Sequence, residues 1–171
     1  NPDVYFQIRE ANEPFYAALP DTVEDCFRRI NAMTGRDYHL FNYYGAPDAE
    51  HVAVAMGSVS GAAREAVDYL NARGHRVGFV QVHLFRPFSF RHFFAALPET
   101  VKSIAVLDRC KEMGSAGEPL YQDVCTAVVD SGRAVRVIGG RYGLSSKDTD
   151  PTQIAAVFEN LESEHPVRSF T

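Results

Sequence analysis

The chain has 171 residues, 46% of them hydrophobic, and a formal net charge of −5, enough for one well-packed domain and too little for two large ones. Charges of both signs are interspersed without a block of one kind, so no electrostatic feature points to nucleic acid or an anionic membrane surface as a partner. No apolar run approaches the roughly 20 residues that span a bilayer and no charged-then-apolar leader opens the chain, while the start at Asn1 without a methionine suggests an excised piece or a processed chain.

In chain order, "NPDVYFQIREANEPFYAALP" is aromatic without a clean period, and it reads as an extended arm with a helical turn at most, of the kind that packs on a neighbour. "DTVEDCFRRINAMTG" then sets Val23, Cys26, Phe27, Ile30 and Met33 on one helical face. Asp21 with Glu24 resembles a capping box and Gly35 supplies the stop. "LFNYYGAPDAE" is read as a turn around Gly45 and Pro47. These features divide the chain into an amino-terminal arm and helix over 1–45 and an α/β domain over 46–171.

From there apolar strands alternate with amphipathic helices. His51 to Met56 is a strand; a helix follows whose Val59, Ala63, Ala66, Val67 and Leu70 share a face and which ends at Gly74. Arg76 to Phe85 is a second strand, and Ser89 caps a short helix with Phe90, Phe93, Phe94 and Leu97 inward. Lys102 to Leu107 is a third strand. Pro119 opens a helix striped by Leu120, Val124 and Val128 and closed by Gly132, before a fourth strand at Val135 to Ile138. Asp150, Pro151 and Gln153 cap a last helix carrying Ile154, Val157, Phe158 and Leu161. Strand and helix in alternation, with short connections, predict an open, doubly wound α/β fold: a mostly parallel sheet with helices on both faces. The loops after Met56, Phe85, Leu107 and Ile138 then gather along one edge, where such folds bind ligands.

Four stretches at that edge carry polar chemistry. "MGSVSG" offers a helix amino terminus to a phosphate, or is simply a tight strand-to-helix turn; it is neither G-x-G-x-x-G nor a Walker loop. Arg86, held extended by Pro87, suits an anion, a carboxylate of a neighbouring segment or a structural ion pair. In "LDRCKEMGSAGEPLY" the charged Asp108, Arg109, Lys111 and Glu112 face a substrate, one another or an adjoining domain, and Cys110 between two bases would have its thiolate favoured. "RVIGGRYGLSSKD" ends a strand in mobile, hydrogen-bonding residues, as a loop with something to hold does. Cys26, Cys110 and Cys125 are scattered, which fits reduced thiols in a cytoplasmic protein better than a zinc or iron–sulfur site, and the six histidines show no metal-ligand spacing.

Taken together, "YYGAPDAEHVAVAMGS", "VGFVQVHLFRPFS", "IAVLDRCKEMGSAGEPLY" and "GGRYGLSSKDTDPTQIAAVFENL" resemble pyruvate:ferredoxin (flavodoxin) oxidoreductases over nearly the whole chain. The stretch they resemble is the second domain, similar to the carboxyl-terminal domain of transketolases. The resemblance implies a parent enzyme that oxidatively decarboxylates pyruvate to acetyl-coenzyme A. That parent would use thiamine diphosphate, Mg2+ and iron–sulfur clusters, with coenzyme A as substrate, and pass electrons as a homodimer to ferredoxin or flavodoxin. No G-D-G run and no clustered cysteines occur here, so those cofactors are expected in other domains of the parent, with none in this fragment and no catalysis by it alone. Within the family this domain serves as architecture. Arg86, Arg109, Lys111 and Glu112 are then domain-contact candidates, and Arg141, Ser145, Ser146 and Lys147 contact a neighbouring domain or the coenzyme A phosphates. Open alternatives are a nucleotide- or coenzyme A-binding module, or the equivalent domain of another 2-oxoacid oxidoreductase or a sulfite reductase flavoprotein.

Overall fold

The computed structural model describes every residue from Asn1 to Thr171. Its core is the run His51–Met56 (β2), whose Val52, Ala53, Val54 and Ala55 are fully buried because the strand is covered on both faces. Val77–Val82 (β3) pairs with it on one side and Ser103–Asp108 (β4) on the other, both parallel. Arg136–Arg141 (β5) extends the sheet beyond β4, and the short Ser169–Phe170 (β6) closes that side. The other edge is Phe41–Gly45 (β1), antiparallel to β3, so the full order is β1-β3-β2-β4-β5-β6.

Alternation along the strands sorts side chains into two layers. Val52, Val54, Ile104 and Val106 face Phe90–Ala96 (α3) and Pro119–Ser131 (α4), whereas Ala53, Ala55, Ala105 and Leu107 face Ser60–Asn71 (α2) and Pro151–Glu162 (α5). Three of the four side chains named on the second face are alanines, so α2 and α5 come close to the sheet. On three helices the predicted faces are the buried ones: Ala63, Ala66, Val67 and Leu70 on α2; Leu120, Val124 and Val128 on α4; Ile154, Val157, Phe158 and Leu161 on α5. The face expected for residues 21–35 is not, since Cys26, Ile30 and Met33 are exposed while Val23 and Phe27 turn to the core. Asp150 and Gln153 form the expected capping box, and Gly132 ends α4 in the left-handed conformation, φ 65°.

Four other expectations change. The amino-terminal stretch is helical from its start: Pro2–Thr34 (α1) is one 33-residue helix, with Pro14 and Pro20 inside it and Gly35 as its left-handed cap. Asp21 and Glu24 accordingly cap nothing. Asp21 pairs with Arg91 and lies 3.5 Å from His92, while Glu24 accepts the Leu40 amide at 3.1 Å and contacts His39. "FNYYG", read as part of a turn, is β1. It pairs with β3, Phe41 opposite Val82 and Gly45 opposite Gly78, and the Tyr43 hydroxyl donates to the Ala46 carbonyl at 2.5 Å and the Tyr44 hydroxyl to Asp68. The strand at Arg76–Phe85 is shorter, ending at Val82 where His83 turns to the His39 carbonyl at 2.8 Å. The last long strand instead runs on through Gly139 and Gly140 to Arg141, since the rings of Tyr121 and Phe170 fill the space where their Cβ atoms would stand.

The carboxyl-terminal half of α1 is fastened to this body. Asn31 exchanges two hydrogen bonds with the Tyr38 backbone at 2.8 and 2.9 Å, and Phe27, Tyr38 and His83 meet with ring centroids 5.6–6.1 Å apart. Residues 1–18 are exposed throughout.

Candidate functional site

From β2 the chain moves to β3 on one side and returns to β4 on the other, so the switch in strand order lies between β2 and β4, the place where such sheets open a ligand crevice. Here that opening is crossed by protein. Tyr142, the residue after β5, donates its hydroxyl to the Met56 carbonyl at the end of β2, 3.0 Å away, and its burial raises its pKa. The "MGSVSG" turn beside it is a single 3-10 turn, Gly57–Val59, leading into α2 with no side chain capping the helix start.

Asp108 at the end of β4 is buried and works inward. Its two carboxylate oxygens accept the amides of Leu120 and Tyr121 at 3.0 and 3.1 Å, so the first turn of α4 is capped by a residue twelve positions upstream of Leu120. Burial raises its pKa, with the two amide bonds opposing that and Glu118 adding to it. Glu118 is itself buried. It accepts the Arg141 Nε–H at 2.7 Å, and an η nitrogen of the same guanidinium reaches the Ser169 hydroxyl at 2.9 Å, which ties β5 to the start of α4 and to β6. Arg109 donates its Nε–H to the Gly143 carbonyl at 3.2 Å.

The loop after β5 therefore has a fixed base and a free tip. Gly143, Ser145 and Ser146 all have positive φ, at 61°, 53° and 60°, which turns the two serines outward. Ser145, Ser146 and Lys147 are exposed, and Lys147 stands at the rim of a cavity of about 490 Å³ floored by Leu107, Leu144, Ile154, Val157 and Phe170. Of the predicted residues, Arg109 and Arg141 join this loop at its base and Ser145, Ser146 and Lys147 at its tip. Arg86 lies apart, paired with Asp123 of α4 at 3.0 Å, while Lys111 and Glu112 project from the exposed connection between β4 and α4. Asp123 keeps one buried oxygen without a partner, and burial raises its pKa against the pull of Arg86.

Cys110 departs from expectation. Burial pushes its thiol pKa up, and Asp108, Glu112 and Glu118 add to that, outweighing Arg141; the adjacent bases do not favour a thiolate. Cys26 is on α1 and Cys125 on α4, and no three His, Cys, Asp or Glu side chains converge to hold a metal ion. The three separate cysteines do not fit an iron–sulfur cluster. Besides His39 and His83, three histidines have side-chain partners in the protein: His51 meets the Ser103 hydroxyl, His75 meets Glu162 and His92 meets the Ser89 hydroxyl. Glu118 and Tyr142 were invisible in the sequence, since each acts on a residue 23 or 86 positions away with no local motif to announce it.

Residues 49–154 match pyruvate:ferredoxin oxidoreductase core domain II. The whole chain aligns with pyruvate-flavodoxin oxidoreductases of Enterobacter agglomerans and Klebsiella pneumoniae, 56% and 57% identical, and with the pyruvate:ferredoxin oxidoreductase of Moorella thermoacetica, 53% identical. It spans 15% of the length of each of these relatives. Among solved structures, a 2-oxoglutarate:ferredoxin oxidoreductase from Magnetococcus marinus shares the fold, with a TM-score of 0.53 over 75% of this chain and 20% of that one at 18% identity. The chain belongs to the pyruvate:ferredoxin oxidoreductase family, as its core domain II.

Proposed function

We propose that this chain is an architectural domain of a pyruvate:ferredoxin (flavodoxin) oxidoreductase, holding neighbouring domains in place and performing no chemistry itself. The observation that carries the reading is the alignment: all 171 residues match, at more than half identity, a stretch amounting to 15% of each relative. Identity above 50% to proteins named for pyruvate, against 18% to the 2-oxoglutarate enzyme, favours pyruvate over other oxoacids and the binding-module alternative. The parent would be a cytoplasmic homodimer passing electrons to ferredoxin or flavodoxin. Its thiamine diphosphate, Mg2+ and iron–sulfur clusters would sit in other domains, in keeping with the scattered cysteines here. Residues 1–45 form the lead-in segment and 46–171 the α/β unit, with β1 of the lead-in paired to its edge. No helix is long and apolar enough to cross a membrane.

Reading the coding sequence outward from Asn1 and Thr171 tests this. Thiamine-binding and cysteine-rich sequence in frame is the expected result; a start and a stop bracketing the chain would overturn it.

Within that role, the loop tip is the contact. Arg86, Arg109, Lys111 and Glu112 suit domain contacts, as does Arg141, although its guanidinium already serves Glu118 and Ser169. Ser145, Ser146 and Lys147 present two outward hydroxyls and an exposed amine, a set that suits a neighbouring carboxylate or a coenzyme A phosphate. A phosphate contact predicts that Lys147→Ala in the full-length parent raises KM for coenzyme A about tenfold with kcat unchanged. A purely architectural contact predicts an unchanged KM and a lower melting temperature.

A further inference from the structure

Three helices of the chain share one device near their carboxyl ends. Asn31 of α1 exchanges two hydrogen bonds with the Tyr38 backbone, and Asn71 of α2 does the same with Val77, 3.0 Å each way. Asn160 of α5 repeats it with Val167, donating to its carbonyl at 3.0 Å and accepting its amide at 2.8 Å. The side-chain amide pairs with the backbone as a neighbouring strand would, and so fixes where the chain goes after the helix. Beyond Tyr38 lies β1, five residues long, and Val77 opens β3, six residues long. Val167 is aimed in the same way, yet β6 pairs over Ser169 and Phe170 alone.

The register says where that strand is heading. Ser169 stands opposite Gly139 and Phe170 opposite Gly140, in parallel, and the Gly139 amide donates to the Arg168 carbonyl at 3.0 Å. Two residues on, the Arg141 backbone faces the same side, whereas the Tyr142 amide turns the other way, to the Asp108 carbonyl at 3.1 Å. The amide that a parallel ladder would bring to the Arg141 carbonyl belongs to the residue after Thr171. Side chains alternate, so that residue falls on the face of Phe170, which packs with the α2 and α5 layer. On this face lies the cavity of about 490 Å³ floored by Leu107, Leu144, Ile154, Val157 and Phe170, and Thr171 itself lines it. The polar groups around the cavity are largely spent: Arg141 serves Glu118 and Ser169, and Asp150 caps the first turn of α5. An apolar floor without a converging set of free charges suits an apolar side chain better than a polar small molecule.

We propose that the segment following Thr171 in the parent oxidoreductase continues β6 alongside Arg141 and lays an apolar side chain, the second after Phe170, into this cavity. The inference rests on the assignment of the chain to such a parent, and the greater part of each relative lies outside the matched stretch and can supply the segment. Continuing the strand covers the open edge of β5, and burying the cavity floor supplies the affinity.

Hydrogen–deuterium exchange on the full-length parent tests it. The amide of the residue after Thr171 is expected to exchange at least about 100-fold more slowly than in an unstructured peptide. Ala156→Trp fills the cavity from an exposed position on α5, and it should cut that protection at least about tenfold while β2 and β4 keep theirs. Asn160→Ala removes the tether at Val167 and should lower the protection in the same direction. An unprotected amide in the wild-type parent, or protection that survives either change, would overturn the proposal. So would slower exchange at Leu144 to Asp148 on adding coenzyme A, abolished by Ala156→Trp, which would make a small ligand the occupant. A stop codon directly after Thr171 would instead defeat the parent assignment, before any exchange is measured.

Discussion

Phe41, Phe88 and Phe93 meet edge on beneath α3 with ring centroids 5.2–5.4 Å apart, while Phe6, Phe15 and Tyr16 of α1 are each more than half exposed. Both groups are aromatic, and Phe41 and Phe93 sit on a strand and a helix as regular as the helix that carries Phe6, Phe15 and Tyr16. The difference lies in what the chain itself provides opposite them. Beneath α3 the sheet supplies Leu40, Val82 and Val106, so each ring loses its water to a protein neighbour. Nothing in the 171 residues covers Phe6, Phe15 or Tyr16 of α1. Aromatic content therefore marks a surface that is to be buried, without saying whether the burial is within the chain.

Substitution separates the two groups. Phe93 is fully buried, and Phe93→Ala is expected to destabilise the chain by about 3–5 kcal/mol in denaturant unfolding. Phe15→Ala should stay within about 0.5 kcal/mol in the same measurement. Equal losses would mean that α1 belongs to the cooperative body, and the comparison would collapse. Next in size is the polar tie at the carboxyl edge. Glu118→Ala leaves the Arg141 guanidinium, mostly enclosed, without its carboxylate and should cost about 3 kcal/mol, with Glu118→Gln recovering part of it through the amide oxygen. A loss below about 0.5 kcal/mol would show that Arg141 finds solvent instead.

The same contrast explains what could be read from the residues alone. Each helix of the body carries its own answer: the spacing of Ala63, Ala66, Val67 and Leu70, or of Ile154, Val157, Phe158 and Leu161, defines a face that the sheet then covers. Strands β2 and β4 are continuous apolar runs, the pattern of a sheet buried on both sides. β1 escaped because an edge strand of five residues ending at Gly45 has too few positions for a period, and its tyrosines settle by reaching Ala46 and Asp68. In α1, Pro14 and Pro20 read as breaks, and Val4, Ile8, Ala11 and Phe15, which share a helical face there, have no partner in the chain. At the edge, Arg141, Ser145, Ser146 and Lys147 were visible as polar residues after a strand. The division between an anchored Arg141 and an outward Lys147 depends on Glu118 and on two serines with positive φ, neither of which has a sequence signature.

Helix caps give a finer version of the test. Asp150 accepts the Gln153 amide at 2.9 Å at the start of α5, and Asp150→Ala is expected to cost about 1 kcal/mol. Asn1 accepts the amides of Asp3 and Val4 at 3.2 and 3.5 Å, the same device at the start of α1. Asn1→Ala should leave the unfolding midpoint unchanged, because a segment that opens locally before the body unfolds does not register in the global transition. A midpoint shift matching that of Asp150→Ala would place residues 1–18 within the body's cooperative unit.

The smallest expected effect lies where the two regions join. His39 is partly exposed and contacts Glu24 of α1 through Nδ1 and Asp37 through Nε2 at 3.0 Å. The bond to Glu24 raises its pKa above 6.5, burial works against it, and the charges of Glu24 and Asp37 add to it. A folded-state pKa above the unfolded one means that the stabilisation is complete below about pH 6.5 and is lost as pH rises through the folded value. The fastening of α1 should therefore loosen as pH rises above about 6.5. Exchange at the Leu40 amide, which Glu24 also accepts, is the direct readout, after correction for the intrinsic rise of exchange with pH. Glu24→Gln should flatten the dependence, and so should His39→Gln. A dependence that persisted in both variants would assign it to another group and leave the junction held by Asn31, the Phe27, Tyr38 and His83 rings and the Asp21–Arg91 pair.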